Sequence, residues 1–310
     1  MKKIATLINL IKNNRYGIII AIFNNIVRLH LLDWVSDKNF LRLAYRVNMR
    51  RKLDLDNPKT FNEKLQWLKL YDRRPEYIEY VDKFEVKKYI AKEIGEKYVI
   101  PTYGVWDRFT DIDFETLPKQ FVLKCTHDSG SVVICKDKDE FDVKSAEKKI
   151  TKGLKRNLFW YGREWPYKKV VPRIIAEKYM EDNVTEELRD YKFFCFNGEV
   201  KALFVATDRQ KEGEEVKFDF FDINYKHLAM KQGHPNALIY PAKPKNFEEM
   251  CMLAGKLSKN IPQLRVDFYE VNGDVYFGEL TFSHFGGLMP FNPEKWDAIF
   301  GNWIQLPKEM

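Results

Sequence analysis

Arg265, Asp267 and Glu279 stand among apolar residues in RVDFYEVNGDVYFGELTF, residues 265–282. The segment alternates apolar and polar residues on either side of Asn272-Gly273, which predicts a hairpin with a tight turn. Asp267 lies near the start of one arm and Glu279 lies within the other. Pairing outward from the turn sets Asp267 near Tyr276–Gly278, and level with Glu279 if the register is shifted or bulged. Carboxylates brought this close repel unless a cation sits between them. A magnesium ion needs hard oxygen ligands and commonly takes one or two carboxylates plus phosphate oxygens. Arg265 precedes Asp267 by two residues and so shares its face. Its guanidinium can neutralise the phosphate that such an ion holds.

Three further segments carry complementary chemistry. Lys83, in VDKFEVKKYI, opens a predicted helix. Lys124 ends the predicted strand FVLK, just before the small, polar loop Thr126–Ser131, which includes Ser129, Gly130 and Ser131. Such a loop can turn backbone N–H groups toward phosphate oxygens. In RIIAEKYM an apolar strand ends at Glu177, and a segment of this kind can hydrogen-bond the edge of an adenine. His127 in the loop and His284 after the hairpin are secondary candidates, as acid or base and as a substrate contact.

The elements that must position these groups are mixed. Thr60 and Glu63 fit a capping box ahead of a helix with Leu65, Leu68 and Tyr71 at helical spacing. Val86, Ile90 and Ile94 mark a second helix, and Met250, Leu253 and Leu257 another. Strands are expected at 97–106, 173–180 and 217–225, and a strand, polar turn and strand over 120–136. A second Asn-Gly hairpin is expected over 189–209. Hairpins mixed with helices predict an α+β fold.

Composition narrows the function classes. The chain has 310 residues, 45% of them hydrophobic and 31% charged, enough for a sizeable core in a water-soluble body. Its net charge of +7 suits an anionic partner, or serves solubility alone. Cys125, Cys135, Cys195 and Cys251 have no metal-ligand spacing, and a reduced, cytoplasmic setting is expected. Basic and aromatic residues are scattered without an RNA-binding motif, so no nucleic-acid partner is expected. The segment Tyr16–Trp34 is too short and too interrupted to span a bilayer. It reads as an amphipathic helix that either packs on the body or lies on the inner membrane surface.

The phrases NPKTFNEKLQWLKLYDRRPEY, VDKFEVKKYI, IPTYGVWD, LPKQFVLKCTHDSGS, RIIAEKYM, DYKFFCFNGEVK, RVDFYEVNGDVYFGELTF and FNPEKWD follow one another over about residues 37–305. In this order they resemble the ATP-grasp superfamily, and more closely its teichuronopeptide-biosynthesis (TupA-like) branch. The resemblance implies two α+β subdomains gripping ATP behind an N-terminal helical extension. The divisions expected are 1–55, 56–176 and 177–310. It implies that Lys83 and Lys124 contact nucleotide phosphates, with Ser129, Gly130 and Ser131 in the phosphate loop. Glu177, Lys178 and Tyr179 match the adenine-binding linker, and Asp190 stands where an acid contacts the ribose. Arg265, with Lys124, matches the cations near the reacting phosphoryl group. Asp267 and Glu279 match the magnesium carboxylates, and Thr281 stands where the superfamily often has asparagine. The implied activity is carboxylate–amine ligation with ATP and Mg²⁺, acting on a sugar-linked or polysaccharide carboxylate and an amino compound. The alternative is a glycosyltransferase or kinase from a polysaccharide cluster. The nearest DxD-like segments, at 111–113 and 137–139, lack the apolar strand that usually leads into such a motif.

Overall fold

The computed structural model describes residues 15–183, 188–209 and 213–307. Among these residues nine strands form two antiparallel sheets. The smaller sheet has the order β1-β4-β2-β3, formed by Thr102–Trp106, Ile174–Lys178, Phe121–Cys125 and Val132–Cys135. The larger sheet has the order β7-β6-β5-β8-β9. Its strands are β5 (Asp190–Phe196), β6 (Glu199–Thr207), β7 (Lys217–Asp222), β8 (Leu264–Val271) and β9 (Asp274–Thr281).

The period of two along a strand sends successive side chains to opposite faces. Phe193, Leu203, Val266 and Phe268 therefore meet Met250, Leu253 and Leu257 of the helix Phe247–Leu257 on one face of the larger sheet. Phe194, Phe204 and Phe220 point to the other face. There they meet Phe40, Phe61 and Phe300, from the helices Asp37–Met49, Phe61–Tyr71 and Lys295–Trp303. The smaller sheet buries Phe121, Leu123, Ile174 and Ala176 against Ala146 and Ile150 of the helix Val143–Leu154.

The expected capping box is present: Thr60 Oγ1 accepts from the Glu63 N–H, and Glu63 Oε2 accepts from the Thr60 N–H at 3.0 Å. Leu53, Leu55 and Phe61 share one core with Phe194 and Phe300, so packing runs unbroken across residue 55. β4 extends through Lys178, so the smaller sheet also runs past residue 176. Over 16–34 the helix Arg15–Arg28 buries Phe23 and Val27 in the same core. No helix among the described residues is long and apolar enough to cross a membrane.

Candidate active site

β8 and β9 pair with a break in register between Asp267 and Phe268. Phe268 faces Phe277, whereas Asp267 faces Glu279, so Gly278 is the extra residue of a bulge. The bulge is what sets the two carboxylates opposite each other. A glycine suits this position, because a Cβ there would stand 3.1 Å from the Asp267 carbonyl oxygen.

Asp267 is fully buried. Arg265 grips it through two bonds of 2.7 Å, Nε to Oδ1 and Nη2 to Oδ2. The same guanidinium donates to Glu279 Oε1 at 2.6 Å and to His284 Nδ1 at 2.8 Å. Lys192 of β5 also binds Asp267, and it contacts Asp190 Oδ2 at 2.6 Å. Arg209 holds that same Asp190 oxygen at 2.5 Å. Three cations thus interleave with Asp190, Asp267 and Glu279, which is what buried charge requires. Burial pushes the Asp267 carboxyl up to about 6, with Arg265 and Lys192 offsetting part of the rise. For Glu279 burial also acts upward, but Lys192, Arg265 and Lys83 outweigh it and hold the group below the usual carboxylate range. The Glu279 side chain keeps 44% of its surface exposed, whereas Asp267 keeps none.

Glu279 opens into a cleft of about 270 Å³ between the sheets, lined also by Lys83, Ser129, Glu164, Tyr167 and Arg265. Lys83 reaches it from the turn before the helix Val86–Glu93 and donates to the Asp128 carbonyl. Burial lowers the pKa of Lys83, and Glu279 and Asp128 counter part of that. The loop after β2 is braced from within. The Asp128 carboxylate takes Ser131 Oγ at 2.6 Å and Arg156 Nη2 at 2.5 Å. Ser131 is therefore a structural member of the loop, while Ser129 and Gly130 form its exposed tip. Gly130 adopts φ +89°, a backbone region that favours glycine. His127 sits at 3.0 Å from the Arg156 carbonyl and fastens the base of the loop.

Glu177 occupies the other end of the smaller sheet. Its Oε2 meets Lys124 at 2.6 Å and its Oε1 meets Lys87 at 2.5 Å. Burial acts to raise its pKa, but the two lysines outweigh it and hold the carboxyl at about 2. Lys178 and Tyr179 follow, yet their side chains line a separate groove with Tyr103, Gln120 and Lys136. The Lys178 N–H is already bonded to the Pro101 carbonyl at 3.0 Å.

The structure thus gathers Lys83, Ser129, Arg265, Glu279 and Thr281 around one cleft, with Asp267 and Asp190 buried behind it. Thr281 donates to Glu279 Oε1 at 3.3 Å. His284 is buried among Phe194, Phe204 and Phe285, and supports Arg265. Burial, with Arg265 and Lys192, drives its pKa far down, so its ring is neutral and accepts through Nδ1. Five further residues join the site: Lys87, Lys192, Arg209, Glu164 and Tyr167. Lys192 follows Asp190 by two, a spacing that puts the pair on one face of β5, whereas Lys87 lies on the helix that Lys83 precedes. Glu164 and Tyr167 lie three residues apart at the start of the 3₁₀ helix Trp165–Lys169, which is too short to mark a pattern in the sequence.

The donor set fits a magnesium ion shared with phosphate. Among the described residues no three His, Cys, Asp or Glu side chains converge on one point. Magnesium needs fewer, since it keeps waters and phosphate oxygens as ligands. Glu279 presents an accessible, ionised carboxylate. Asp267 is available only if Arg265 or Lys192 turns from it toward an incoming phosphate. Asp190 Oδ1 is buried without a partner, a further acceptor at the rear of the site.

The TupA-like ATP-grasp family model matches residues 63–305. Comparison with curated proteins yields no match. Among solved structures, D-alanine–D-alanine ligase from Bacillus anthracis complexed with ATP aligns over 74% of this chain and 60% of that one, with 16% identity and a TM-score of 0.39. The ATP-grasp ligase PsnB, complexed with minimal precursor, Mg and ADP, aligns over 72% and 57%, with 10% identity and a TM-score of 0.38. D-alanine–D-alanine ligase from Helicobacter pylori aligns over 80% and 70%, with 14% identity and a TM-score of 0.40. This chain spans less than two thirds of the length of the first two.

Proposed function

Because the chain belongs to the TupA-like ATP-grasp family, we propose that it is an ATP-dependent ligase joining a carboxylate to an amine. The observation that carries this reading is Asp267 facing Glu279 across the bulged hairpin, with Arg265 between them and Lys83 across the cleft. In this reading ATP lies between the sheets. Its phosphates run past Lys83 and the Ser129-Gly130 tip toward Arg265. Its base lies toward the Lys87–Glu177–Lys124 chain, which braces that end, with Lys178 and Tyr179 beyond it around their own groove. Glu279 and Asp267, with Thr281 beside them, hold Mg²⁺, which when bound offsets phosphate charge.

The acceptor carboxylate attacks the γ-phosphorus, and the bond to ADP breaks. Arg265 and Lys83 stabilise charge on the transferring group. The amine nitrogen then attacks the acylphosphate carbon, the carbon–oxygen bond breaks, and phosphate leaves, the nitrogen giving up a proton to the departing phosphate or to solvent as the amide forms. Positioning in the cleft supplies most of the remaining rate. No protein nucleophile is needed. We assign the carboxylate to a sugar or surface polysaccharide, such as a capsule, O-antigen or teichuronopeptide precursor, and place the reaction in the cytoplasm. That assignment rests on the TupA-like branch itself.

The test is ADP release in the presence of Mg²⁺ and uronic-acid saccharides, with amino acids or amino sugars as second substrates. Amide product and ADP in equal amounts support the proposal. Thermal stabilisation by a UDP- or GDP-sugar, with none by MgATP, overturns it in favour of glycosyl transfer.

A further inference from the structure

The positive charge of this protein is concentrated at one end of the chain. Residues 1–52 hold 11 of its 52 Lys and Arg but only 2 of its 45 Asp and Glu. The other 258 residues therefore carry 41 basic and 43 acidic side chains, a slight negative excess. The net +7 of the chain arises entirely before residue 53.

The same end exposes apolar surface. The helix Arg15–Arg28 turns Phe23 and Val27 into the core. Ile18, Ile22 and Ile26 recur every four residues on an adjoining face, and Ile22 is exposed. The turns that follow expose Leu29 and Leu31, and Trp34 stands 85% exposed with its Nε1 bonded to the Leu31 carbonyl at 3.0 Å. On the helix Asp37–Met49, Leu43 is exposed between the exposed Arg42 and Arg46. Both acids of the region are engaged locally, Asp33 with His30 at 3.0 Å and Asp37 with Arg73 at 2.7 Å. The arginines therefore face solvent beside apolar side chains with little opposing charge.

We propose that residues 16–46 form a docking face for an anionic lipid bilayer. The helix Arg15–Arg28 lies along the interface, Ile22, Leu29, Leu31 and Trp34 enter it, and Arg28, Arg42 and Arg46 meet the headgroups. Charge complementarity selects the lipid. A basic, apolar face is matched by anionic headgroups over acyl chains, and Trp34 has the apolar ring and polar N–H suited to the boundary. This inference is independent of the reaction assigned above.

The test is cosedimentation of the full chain with vesicles of phosphatidylcholine alone, or with phosphatidylglycerol added. The full chain is expected to pellet with the anionic vesicles and to be released by salt. Arg28→Glu with Arg42→Glu and Arg46→Glu should weaken binding about a hundredfold, at roughly one headgroup contact per arginine. Ile22→Ala with Leu31→Ala and Trp34→Ala should weaken it at least about tenfold. All six positions are exposed, so circular dichroism melting should be unchanged in both variants. The proposal is overturned if the chain stays in the supernatant with anionic vesicles at low salt. It is overturned if pelleting survives both variants and is lost only when residues 1–14 are removed. A dimer in sedimentation that Trp34→Ala dissolves, with no lipid binding, would give the face to a second copy and overturn it as well.

Discussion

Arg265 and Asp267 are bound side by side, two residues apart on one strand, through paired 2.7 Å hydrogen bonds. The Arg265 guanidinium also reaches Glu279 and His284, so it is the hub of the site. Arg265→Lys keeps the charge but loses the planar fork. Arg265→Ala leaves Asp267 with Lys192 alone and should cost about 3–5 kcal/mol, as for other broken buried pairs. Urea unfolding checks this, and a loss under about 1 kcal/mol would mean that the site relaxes around the gap.

Glu279→Gln should behave differently. The side chain is 44% exposed, but its charge sits among Arg265, Lys192 and Lys83, so folding stability should fall, though by less than in Arg265→Ala. The variant should lose the magnesium-dependent part of stabilisation by ATP. In the unaltered chain that gain should reach about 2.7 kcal/mol at a hundredfold over Kd. Thermal unfolding with ATP, with and without Mg²⁺, separates the two effects. An unchanged magnesium response in Glu279→Gln would remove this residue from the metal shell.

Glu177 predicts an acid limb in stability. Lys124 and Lys87 hold its folded pKa at about 2, below the ordinary glutamate value. A depressed carboxylate contributes stability that is fully present above its unfolded pKa and is lost as pH falls through the folded one. The contribution should therefore fade between about pH 4.5 and pH 2, by roughly 3 kcal/mol in all. Glu177→Gln should flatten the pH dependence of unfolding in that window while lowering stability at neutral pH. If the limb has the same slope in the variant, other carboxylates carry it.

Gly153 lies on the helix behind the loop Thr126–Ser131, and a Cβ there would stand 2.1 Å from Ser131 Oγ and 2.8 Å from Cys125 Sγ. Gly153→Ala must displace Ser131, and with it the brace that Asp128 and Arg156 give the loop. Overpacking of this kind costs about 1–3 kcal/mol. Calorimetric titration with MgATP should show affinity weakened by about tenfold, the larger share of the effect falling on binding. Unchanged affinity with reduced stability would mean that the loop tip is independent of its base.

Much of this protein is decided by local chemistry. Asn197-Gly198 and Asn272-Gly273 take the positive φ values of tight hairpin turns, so the alternation around them sets both hairpins without help from tertiary contacts. Thr60 and Glu63 cap a helix through atoms three residues apart. Asp267 and Glu279 were recognisable as a pair because charge inside apolar strands needs a reason. Contacts between distant segments decided the rest. The bulge at Gly278 chose between two registers that the turn alone permits. Lys87 became a partner of Glu177, 90 positions away, only when the helix met β4. Ser131 and the Lys178 N–H, both open to a ligand in a linear reading, are spent on Arg156, Asp128 and Pro101. Glu164 and Tyr167 enter the cleft from one short 3₁₀ helix. Sequence patterns report what a residue offers within a few positions. Which offers are already taken depends on hydrogen bonds and burial between segments far apart in the chain, and only the folded chain decides those.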